Sequence, residues 1–159
     1  MIRKARKEDF EQFFKLKSQF YELEKELMRK GDKLAKFFNA KPNKDEDKKL
    51  FKKWIKKKSS ILLVAEEKGE LIGYLFGEIK NVGMLKVKSG HIYDIMISKK
   101  SRNKGIGRKL EKEFLTWAKK KKVKFADLDV DWLNDKARRA YENWGYDYQN
   151  VRMLKKVKR

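Results

Sequence analysis

Hydrophobic positions in the first third of the chain recur mainly at helical spacing. From Glu8 onward, apolar side chains return every three or four residues, and the acidic Glu8 and Asp9 suit the first turn of a helix. Residues 45–58 repeat this pattern, and their apolar face consists of Leu50, Phe51, Trp54 and Ile55. The segment between the two patterns holds the chain's only proline and predicts a loop. We therefore expect a short strand at 2–5 followed by two amphipathic helices.

The pattern then changes to the two-residue period of strands. Two apolar runs, 60–67 and 71–80, are separated by Lys68, Gly69 and Glu70, which predicts a β-hairpin. The elements predicted further along are a strand at 91–98, a helix at 108–122, a strand at 124–130, a helix at 135–143 that ends before Gly145, and one or two strands within 146–157. In the helix at 108–122, the side chains predicted to face inward are Leu110, Phe114, Leu115 and Ala118.

This order of elements favours a single α/β domain of the α+β type across residues 1–159. Strands joined directly, followed by a strand–helix–strand crossover, imply a mixed central sheet of six to seven strands flanked by about four helices. Hydrophobic residues at 40% and aromatic residues at 13% supply a core, despite 42% charged residues. No repeat and no linker divides the chain.

The charge balance is strongly basic, with a formal net charge of +21. One interpretation is an anionic partner such as nucleic acid; the other is that lysine serves as the default surface residue. The second is favoured, because the lysines are scattered along nearly every predicted helix. The chain has no cysteine, which excludes disulfides and thiolate ligands, and we expect no metal. With no apolar signal segment or membrane span in the sequence, we expect a cytoplasmic protein that does not bind membranes.

One loop carries candidate chemistry. The segment "SRNKGIGRKL" (101–110) connects a predicted strand to a predicted helix, where unpaired N–H groups lie beside the positive end of the helix dipole. Such donors favour a phosphate or diphosphate. Gly105 and Gly107 would let an anion approach the backbone without a Cβ in the way. The basic side chains predicted around this site are Arg102, Lys104 and Arg108.

Two motifs in this region resemble those of a known family. Residues 102–107, Arg-Asn-Lys-Gly-Ile-Gly, resemble the R/Q-x-x-G-x-G/A signature of the GNAT superfamily of acetyl-CoA-dependent N-acetyltransferases. The segment "NDKARRAYENWGY" is similar to a later motif of that family. Its matching residues are Asn134, Ala137, Tyr141, Gly145 and Tyr146. The resemblance covers about half of the chain, from Leu62 to Tyr146, with both motifs in the order that the family has.

The resemblance implies acetyl-CoA as cosubstrate and an amine as acceptor. The backbone amides implied to hold the diphosphate are those of Arg102, Asn103, Lys104, Gly105, Ile106, Gly107 and Arg108. The strand edge at Ile95, Met96 and Ile97 would pair with the pantetheine arm as if the arm were a further strand. Asn134 would hydrogen-bond the arm from the far side. An extended ligand with amide groups needs such an open strand edge, which agrees with the predicted element order.

The resemblance also implies direct attack of the amine on the thioester through a tetrahedral intermediate. Backbone N–H groups near Ile97 could bind the oxygen of that intermediate. Tyr141 resembles the family tyrosine that protonates the leaving thiolate. Asn134, Ala137 and Tyr141 fall at i, i+3 and i+7, so they share one stripe of a helix. The alternatives are that Asn134 is an N-cap and Tyr141 a core residue.

The general base is less clearly indicated by the sequence. His91 is the only histidine and begins a predicted strand. Strand alternation places it on one face with Tyr93 and Ile95, and Asp94 on the opposite face. A neutral imidazole could accept the ammonium proton directly or through water. For His91, as for Asp94 and Glu78, a structural role is the alternative, and some members of the family position only a water.

Two other functions remain open from the sequence. A strand, a G-x-G turn and a helix also occur in dinucleotide sites, with Asp127 or Asp129 as the ribose-binding acid, but Leu110 stands where the third glycine belongs. A basic, non-catalytic nucleic-acid-binding module is supported by the net charge alone, since no nucleic-acid-binding signature is found. Both are weaker interpretations than the acetyltransferase.

The acceptor amine is not identified by the sequence. Its specificity is expected to depend on the first two helices and the final strands, and a strongly cationic surface argues against a polycation such as a polyamine. Glu22, Glu24 and Glu26 are interpreted as a solvated helix face rather than as an acidic pocket. The resemblance leaves room for a homodimer, because the family often dimerises.

Overall fold

The computed structural model describes residues 1–29, 41–82 and 87–149. The strands in these ranges are β1 Ile2–Lys4, β2 Ser60–Glu67, β3 Glu70–Asn81, β4 Lys88–Ile97 and β5 Phe125–Leu128. The helices are α1 Phe10–Arg29, α2 Lys44–Lys56, α3 Ile106–Lys120 and α4 Asp135–Asn143, with short 3-10 helices at Lys7–Asp9 and Lys99–Ser101. None of the helices described has the length and apolar composition that crossing a bilayer requires.

The strands form one mixed sheet in the order β1-β2-β3-β4-β5. Each of the pairs β1–β2, β2–β3 and β3–β4 is antiparallel, and the pair β4–β5 is parallel. This confirms the predicted α/β class, the mixed sheet and the four helices, although five strands occupy the described ranges where six to seven were predicted. Residues 146–149 form no strand, and the remainder of the predicted C-terminal strands, 150–157, lies outside the described residues.

Helices cover both faces of the sheet. On one face α1 and α2 bury a cluster that includes Phe13, Phe51 and Tyr74, none of them more than 1% exposed. On the other face α3 buries Leu110 and Phe114 against the sheet. Each fully buried side chain of this size contributes about 1.5 to 3 kcal/mol of transfer free energy. The two cores hold the sheet rigid between the helices.

Local sequence sets several of these boundaries. Helix α4 has the predicted bounds, since Asn134 caps its start and Gly145 follows it at a φ of +91°. Helix α3 begins at Ile106, earlier than the predicted residue 108. The prediction that Leu115 faces inward is wrong. Leu115 lies about 100° around the helix from the buried Phe114, and its side chain is exposed.

Helix α1 crosses the sheet from the β2–β3 hairpin toward β4. Near its start, the Gln12 side chain accepts a hydrogen bond from the backbone N–H of Leu71 at 2.8 Å. Further along, Lys17 pairs with Asp94 of β4 at 3.0 Å. The C-terminal turns of α1 therefore extend past β4, over the side of the sheet where β5 lies.

Candidate active site

Strands β4 and β5 part before β4 ends. Their pairing runs from Ser89 with Phe125 to Ile92 with Leu128, and β5 ends there. Strand β4 continues to Ile97, and beyond Ile92 its only strand partner within the described ranges is β3. The remaining part of β4 thus has an open edge, which is the feature that an extended ligand with amide groups can pair with.

The hydrogen-bond pattern shows which residues face this open edge. Ser98 donates its backbone N–H to the backbone carbonyl of Ile72 in β3, at 2.9 Å. Because N–H and C=O directions alternate along a strand, Met96 also bonds toward β3, whereas Ile95 and Ile97 direct theirs to the open edge. The Ile97 carbonyl accepts from Nε of Arg102 at 3.1 Å. Among the three residues predicted at this edge, Ile95 and Ile97 therefore present backbone groups, and Met96 contributes a buried side chain.

The loop between β4 and α3 presents the donors that an anion site requires. Asn103 and Gly105 adopt left-handed backbone conformations, with φ of 62° and 72°. Lys109 donates its N–H to the Gly105 carbonyl at 3.1 Å. The preceding N–H groups, of Ile106 to Arg108, are too early in the helix to have intrahelical acceptors, and no backbone acceptor in the described residues bonds to them. Together with the helix dipole, they form an electropositive backbone surface.

The two glycines of this loop have different roles. A Cβ at Gly105 would have no atom within 4 Å, so Gly105 opens onto free space. A Cβ at Gly107 would lie 3.1 Å from the Trp144 ring and 3.9 Å from Ile95. The predicted reason for both glycines, ligand approach, therefore fits Gly105, while Gly107 is explained by close packing of α3 on Trp144.

The two arginines predicted near the anion also make bonds within the protein. Arg108 donates from Nη1 to Glu111 at 3.1 Å and to the Trp144 carbonyl at 3.0 Å. Arg102 donates from Nε to the end of β4, as described above. Each guanidinium uses one nitrogen in these bonds, so its other N–H donors remain available to a ligand. Lys104 is exposed at the loop.

Helix α4 carries Asn134 and Tyr141, and Trp144, directly after it, packs against Gly107 at the start of α3. The Oδ1 atom of Asn134 accepts from Ala137 N–H at 3.2 Å, so Asn134 is an N-cap whose side-chain NH₂ is left to donate. The Tyr141 ring packs edge-on against Trp144, with ring centres 5.3 Å apart. Burial, with the charge of Glu24, raises the pKa of Tyr141 to about 12. Its phenol is thus protonated at neutral pH and able to donate.

His91 lies almost fully buried at the level where β4 and β5 still pair. Its Nδ1 atom is 2.8 Å from Asp127 Oδ2, and its Nε2 atom is 3.9 Å from Asp129 Oδ2. Burial opposes ionisation of Asp127, but hydrogen bonds from Ser89 and His91 hold the pKa of this carboxyl below its ordinary value. The ionised carboxylate makes Nδ1 the donor and leaves Nε2 as the acceptor. At 3% exposure, the ring is better placed to exchange protons through water than by direct contact.

A β-bulge in β4 corrects the predicted faces of this strand. Phe76 pairs with Asp94 and the next residue, Gly77, pairs with Ile92, so Tyr93 is the extra residue of β4. Asp94 consequently lies on the α1 face with His91 and Tyr93, where it pairs with Lys17. Ile95 lies on the α3 face. The prediction that His91 shares a face with Tyr93 is right, and the predicted faces of Asp94 and Ile95 are wrong, because alternation is interrupted at the bulge.

Sequence reasoning missed two parts of this site. The first is the buried pair of Lys17 with Asp94, whose side chains are 8% and 16% exposed. A lysine inside the apolar stripe of α1 and an aspartate inside an apolar strand were the signals for it. The second is Glu24, which was interpreted as solvated. Glu24 is half-buried, and burial, together with the charges of Asp131 and Asp94, raises the pKa of its carboxyl, whereas Glu22 is exposed as predicted.

Comparisons with known proteins agree with this geometry. The sequence model of the Acetyltransferase (GNAT) family matches residues 17–146. The uncharacterized N-acetyltransferase YhfO of Bacillus subtilis (strain 168) is 32% identical over 90 residues. That alignment covers 55% of this chain and 59% of YhfO, so the match spans about three fifths of the relative.

Solved structures share the fold. The X-ray structure of a tetramutant of the BH1408 protein from Bacillus halodurans has a TM-score of 0.83 at 22% identity and covers 99% of both chains. The structure of AAC(6')-Iy in complex with the bisubstrate analogue CoA-S-monomethyl-acetylneamine has a TM-score of 0.77 at 16% identity, covering 99% of this chain and 97% of that chain. With an open edge of β4 beside the start of α3, and a family match from residue 17 to 146, the chain belongs to the acetyltransferase (GNAT) family.

Proposed function

We propose that this protein transfers an acetyl group from acetyl-CoA to a primary amine. The observation that carries the proposal is the unpaired edge of β4 beside the uncovered N–H groups at the start of α3. An elongated ligand that has amide groups at one end and a diphosphate at the other can use both features at once. Coenzyme A has this composition.

Each part of the cosubstrate has candidate partners among these residues. The N–H groups of residues 105–108 would hold the diphosphate, because nothing lies within 4 Å of a Cβ built at Gly105. The Ile97 N–H and the Ile95 carbonyl at the open edge would pair with the pantetheine amides, since the Ile97 carbonyl already accepts from Arg102. The side-chain NH₂ of Asn134, which its capping role leaves unused, would donate to the arm from α4.

Acetyl-CoA supplies the thioester, and the remaining chemistry falls to the protein. The nitrogen of a neutral amine forms the new C–N bond, the C–S bond breaks, and the sulfur gains a proton. The Ile95 N–H, which lies further from the diphosphate loop than Ile97 and nearer the bulge at Tyr93, would polarise the thioester carbonyl. Donors of this kind contribute about 3 to 4 kcal/mol in other acyl-transfer enzymes.

Tyr141 is the proposed donor to the leaving sulfur. A proton that moves from a phenol with a pKa of about 12 to a thiolate with an ordinary pKa of about 8.5 goes uphill. Tyr141 therefore stabilises the sulfur by a hydrogen bond while the C–S bond breaks, and gives up the proton as the amine releases one. The phenol is suited to this role, since its raised pKa keeps it protonated at neutral pH.

His91 with Asp127 is the proposed route for the proton that the amine loses. Asp127 fixes Nδ1 as the donor, which leaves Nε2 to accept. Because the ring is buried, His91 would act through water. We infer that Asp127 is a positioning residue and that the pair stands behind the reaction centre rather than against the amine.

Calorimetric titration with acetyl-CoA, followed by thiol release with a panel of amines, tests the proposal. We expect micromolar or tighter binding and acetyl-dependent thiol release with at least one primary amine. No binding at millimolar acetyl-CoA would contradict the proposal. Duplex DNA titrated over a range of salt concentrations tests the basic binding-module alternative, since DNA affinity that falls steeply with salt and an absence of acetyl-CoA binding would favour it.

A further inference from the structure

A cavity of about 300 Å³ lies between α2 and strands β3 and β4. One wall is a ladder of aromatic rings. Trp54 stacks on Phe76 with ring centres 3.8 Å apart, and Phe76 stacks on Tyr93 at 5.5 Å. Tyr93 is the bulge residue next to the open edge of β4, so the cavity reaches the place where the amine would attack. A flat apolar wall of this kind suits an acceptor with a planar or apolar body.

The outer part of the cavity carries an excess of positive charge. Its two carboxylates are both paired with lysines, Asp94 with Lys17 at 3.0 Å and Glu78 with Lys57. The third lysine of the lining, Lys53, has no ion pair in the part of the chain that the structure describes. An anionic group would therefore find an unpaired cation at the α2 rim, whereas a second ammonium would meet repulsion.

The inner part, toward Tyr141, carries negative charge. Glu24 lies two turns beyond Lys17 on α1, on the stripe of the helix that faces β4. Its carboxyl is close enough to Asp94 and Asp131 for their charges to act on it, and close enough to Tyr141 to act on the phenol. An ammonium group that arrives at the thioester would therefore meet the carboxyl group of Glu24, which the helix stripe of Lys17 directs toward β4. The sign of the charge reverses between the α2 rim and the reaction centre.

We infer that the acceptor is a zwitterionic amine, with the reactive amine at one end of an apolar or aromatic body and an anionic group at the other. The amine would face Glu24, the body would lie along the aromatic ladder, and the anion would face Lys53. This inference rests on the proposed acetyl transfer, because it assigns the acceptor of that same site. It separates this protein from AAC(6')-Iy, an aminoglycoside N-acetyltransferase whose solved complex contains CoA-S-monomethyl-acetylneamine.

Four acceptors with one shared benzylamine body test the inference. The probes are para-aminomethylbenzoate, the matching phenylphosphonate, para-aminomethylbenzamide as the neutral control, and para-xylylenediamine as the dication. We expect kcat/KM to be about fivefold higher for an anionic probe than for the amide, the size of effect that one partly exposed charge pair produces, and lowest for the diamine. Comparison of benzoate with phosphonate identifies which anion the rim accepts.

Two variants of α2 locate the effect. Lys53→Glu should raise KM about fivefold or more for the anionic probe with little change in kcat, and should remove the preference over the amide. Lys52→Glu changes the net charge equally on the same helix but lies outside the cavity lining, so it should leave all four values unchanged. Equal effects of both variants would show that the overall charge, not the rim, is responsible, and would overturn the inference.

A second pair of variants tests the inner end. Glu24→Gln should lower kcat/KM for every amine, whereas Glu22→Gln, an exposed neighbour on α1, should not. If kcat/KM for the diamine or the amide equals that for the anionic probe, the inference is overturned, although the proposed acetyl transfer can stand. The inference is also overturned if acetyl-CoA binds and none of the probes is acetylated. If acetyl-CoA itself does not bind, both the proposed function and this inference fail.

Discussion

The β2–β3 hairpin turn and the loop before α3 both place a glycine in the left-handed conformation, but the backbone groups around the two glycines differ in whether they are paired. In the β2–β3 hairpin, Gly69 has a φ of 82° and a Cβ there would have no atom within 4 Å; Gly105, in the loop before α3, has a φ of 72° and equally open surroundings. Around Gly69 the neighbouring strands pair, and Gln12 donates to the Gly69 carbonyl at 3.2 Å. Around Gly105, the N–H groups that follow have no backbone acceptor in the described residues.

The difference lies in which backbone groups find partners within the protein. The hairpin closes on itself, so a change there affects stability alone. On the β4–α3 side, the open strand edge and the start of the helix leave donors and acceptors for another molecule. Function in this fold therefore follows from places where the regular pairing stops, and paired substitutions on the two sides test that statement.

The largest contrast is expected between two buried tyrosines. Tyr141→Phe should lower kcat by about a hundredfold or more, the scale of general acid catalysis, with little change in the affinity for acetyl-CoA. Tyr74→Phe removes a hydroxyl that is fully buried and has no hydrogen-bond partner among the described residues. It should leave turnover intact and the free energy of unfolding equal or higher. Thiol release and denaturant titration measure both, and unaltered turnover in Tyr141→Phe would remove this residue from the mechanism.

The ion pair between Arg3 and Asp9 should affect how stable the fold is at acid pH, and should not affect activity. Arg3 donates to both oxygens of Asp9, at 2.7 and 2.8 Å, and the Arg6 N–H donates at 2.6 Å. The Arg3 bonds chiefly, against the opposing effect of burial, hold the pKa of Asp9 below its ordinary value. The folded pKa is thus the lower one, so the stabilisation is complete above the unfolded pKa, near 4, and is lost as pH falls from there through the folded pKa.

Asp9→Asn should therefore lower the free energy of unfolding by about 2 kcal/mol at neutral pH, the scale of hydrogen bonds to a charged group. The gap between variant and wild type should narrow as pH falls toward about 3, because the wild type then loses its ionised partner. Denaturant titrations at both pH values provide the measurement, with kcat per folded molecule unchanged. A gap that stays constant with pH would show that ionisation of Asp9 is not the cause.

The smallest difference is expected between alanine substitutions at Gly105 and Gly69, whose surroundings match most closely. Gly105→Ala and Gly69→Ala each place an alanine in the left-handed region, which costs about 1 to 2 kcal/mol of stability. Gly105→Ala should also weaken acetyl-CoA binding by about tenfold, since its methyl group projects into the open space proposed for the diphosphate. Gly69→Ala should leave the affinity unchanged. Calorimetry on both variants decides, and equal affinities would contradict the assigned difference between the two turns.

Features with a local sequence signal could be predicted well. Helix α4 has a capping Asn134 before it and Gly145 after it, and the hairpin turn has Gly69 at a left-handed position. The position of the glycine-bearing loop before α3 could be predicted for the same reason. Its glycines and the following helix are signals contained within ten residues.

Features that depend on pairing between distant segments could not be predicted. The bulge at Tyr93 has no signal in the apolar run "HIYDIMIS", because the register is set by how β4 pairs with Phe76 and Gly77. The hydrogen bond that Arg108 makes depends on the carbonyl of Trp144, which lies far along the chain. Burial of Glu24 likewise depends on where α1 crosses the sheet, and helical spacing alone does not fix that crossing.

Amide chemical shifts of residues 105–108, recorded by ¹H–¹⁵N NMR, test most directly whether these backbone groups bind the diphosphate. Addition of coenzyme A should shift these amides strongly, and pantetheine, which lacks the diphosphate, should shift Ile95 and Ile97 but not the loop. Loop amides that stay in place when coenzyme A saturates the protein would contradict the proposed binding mode.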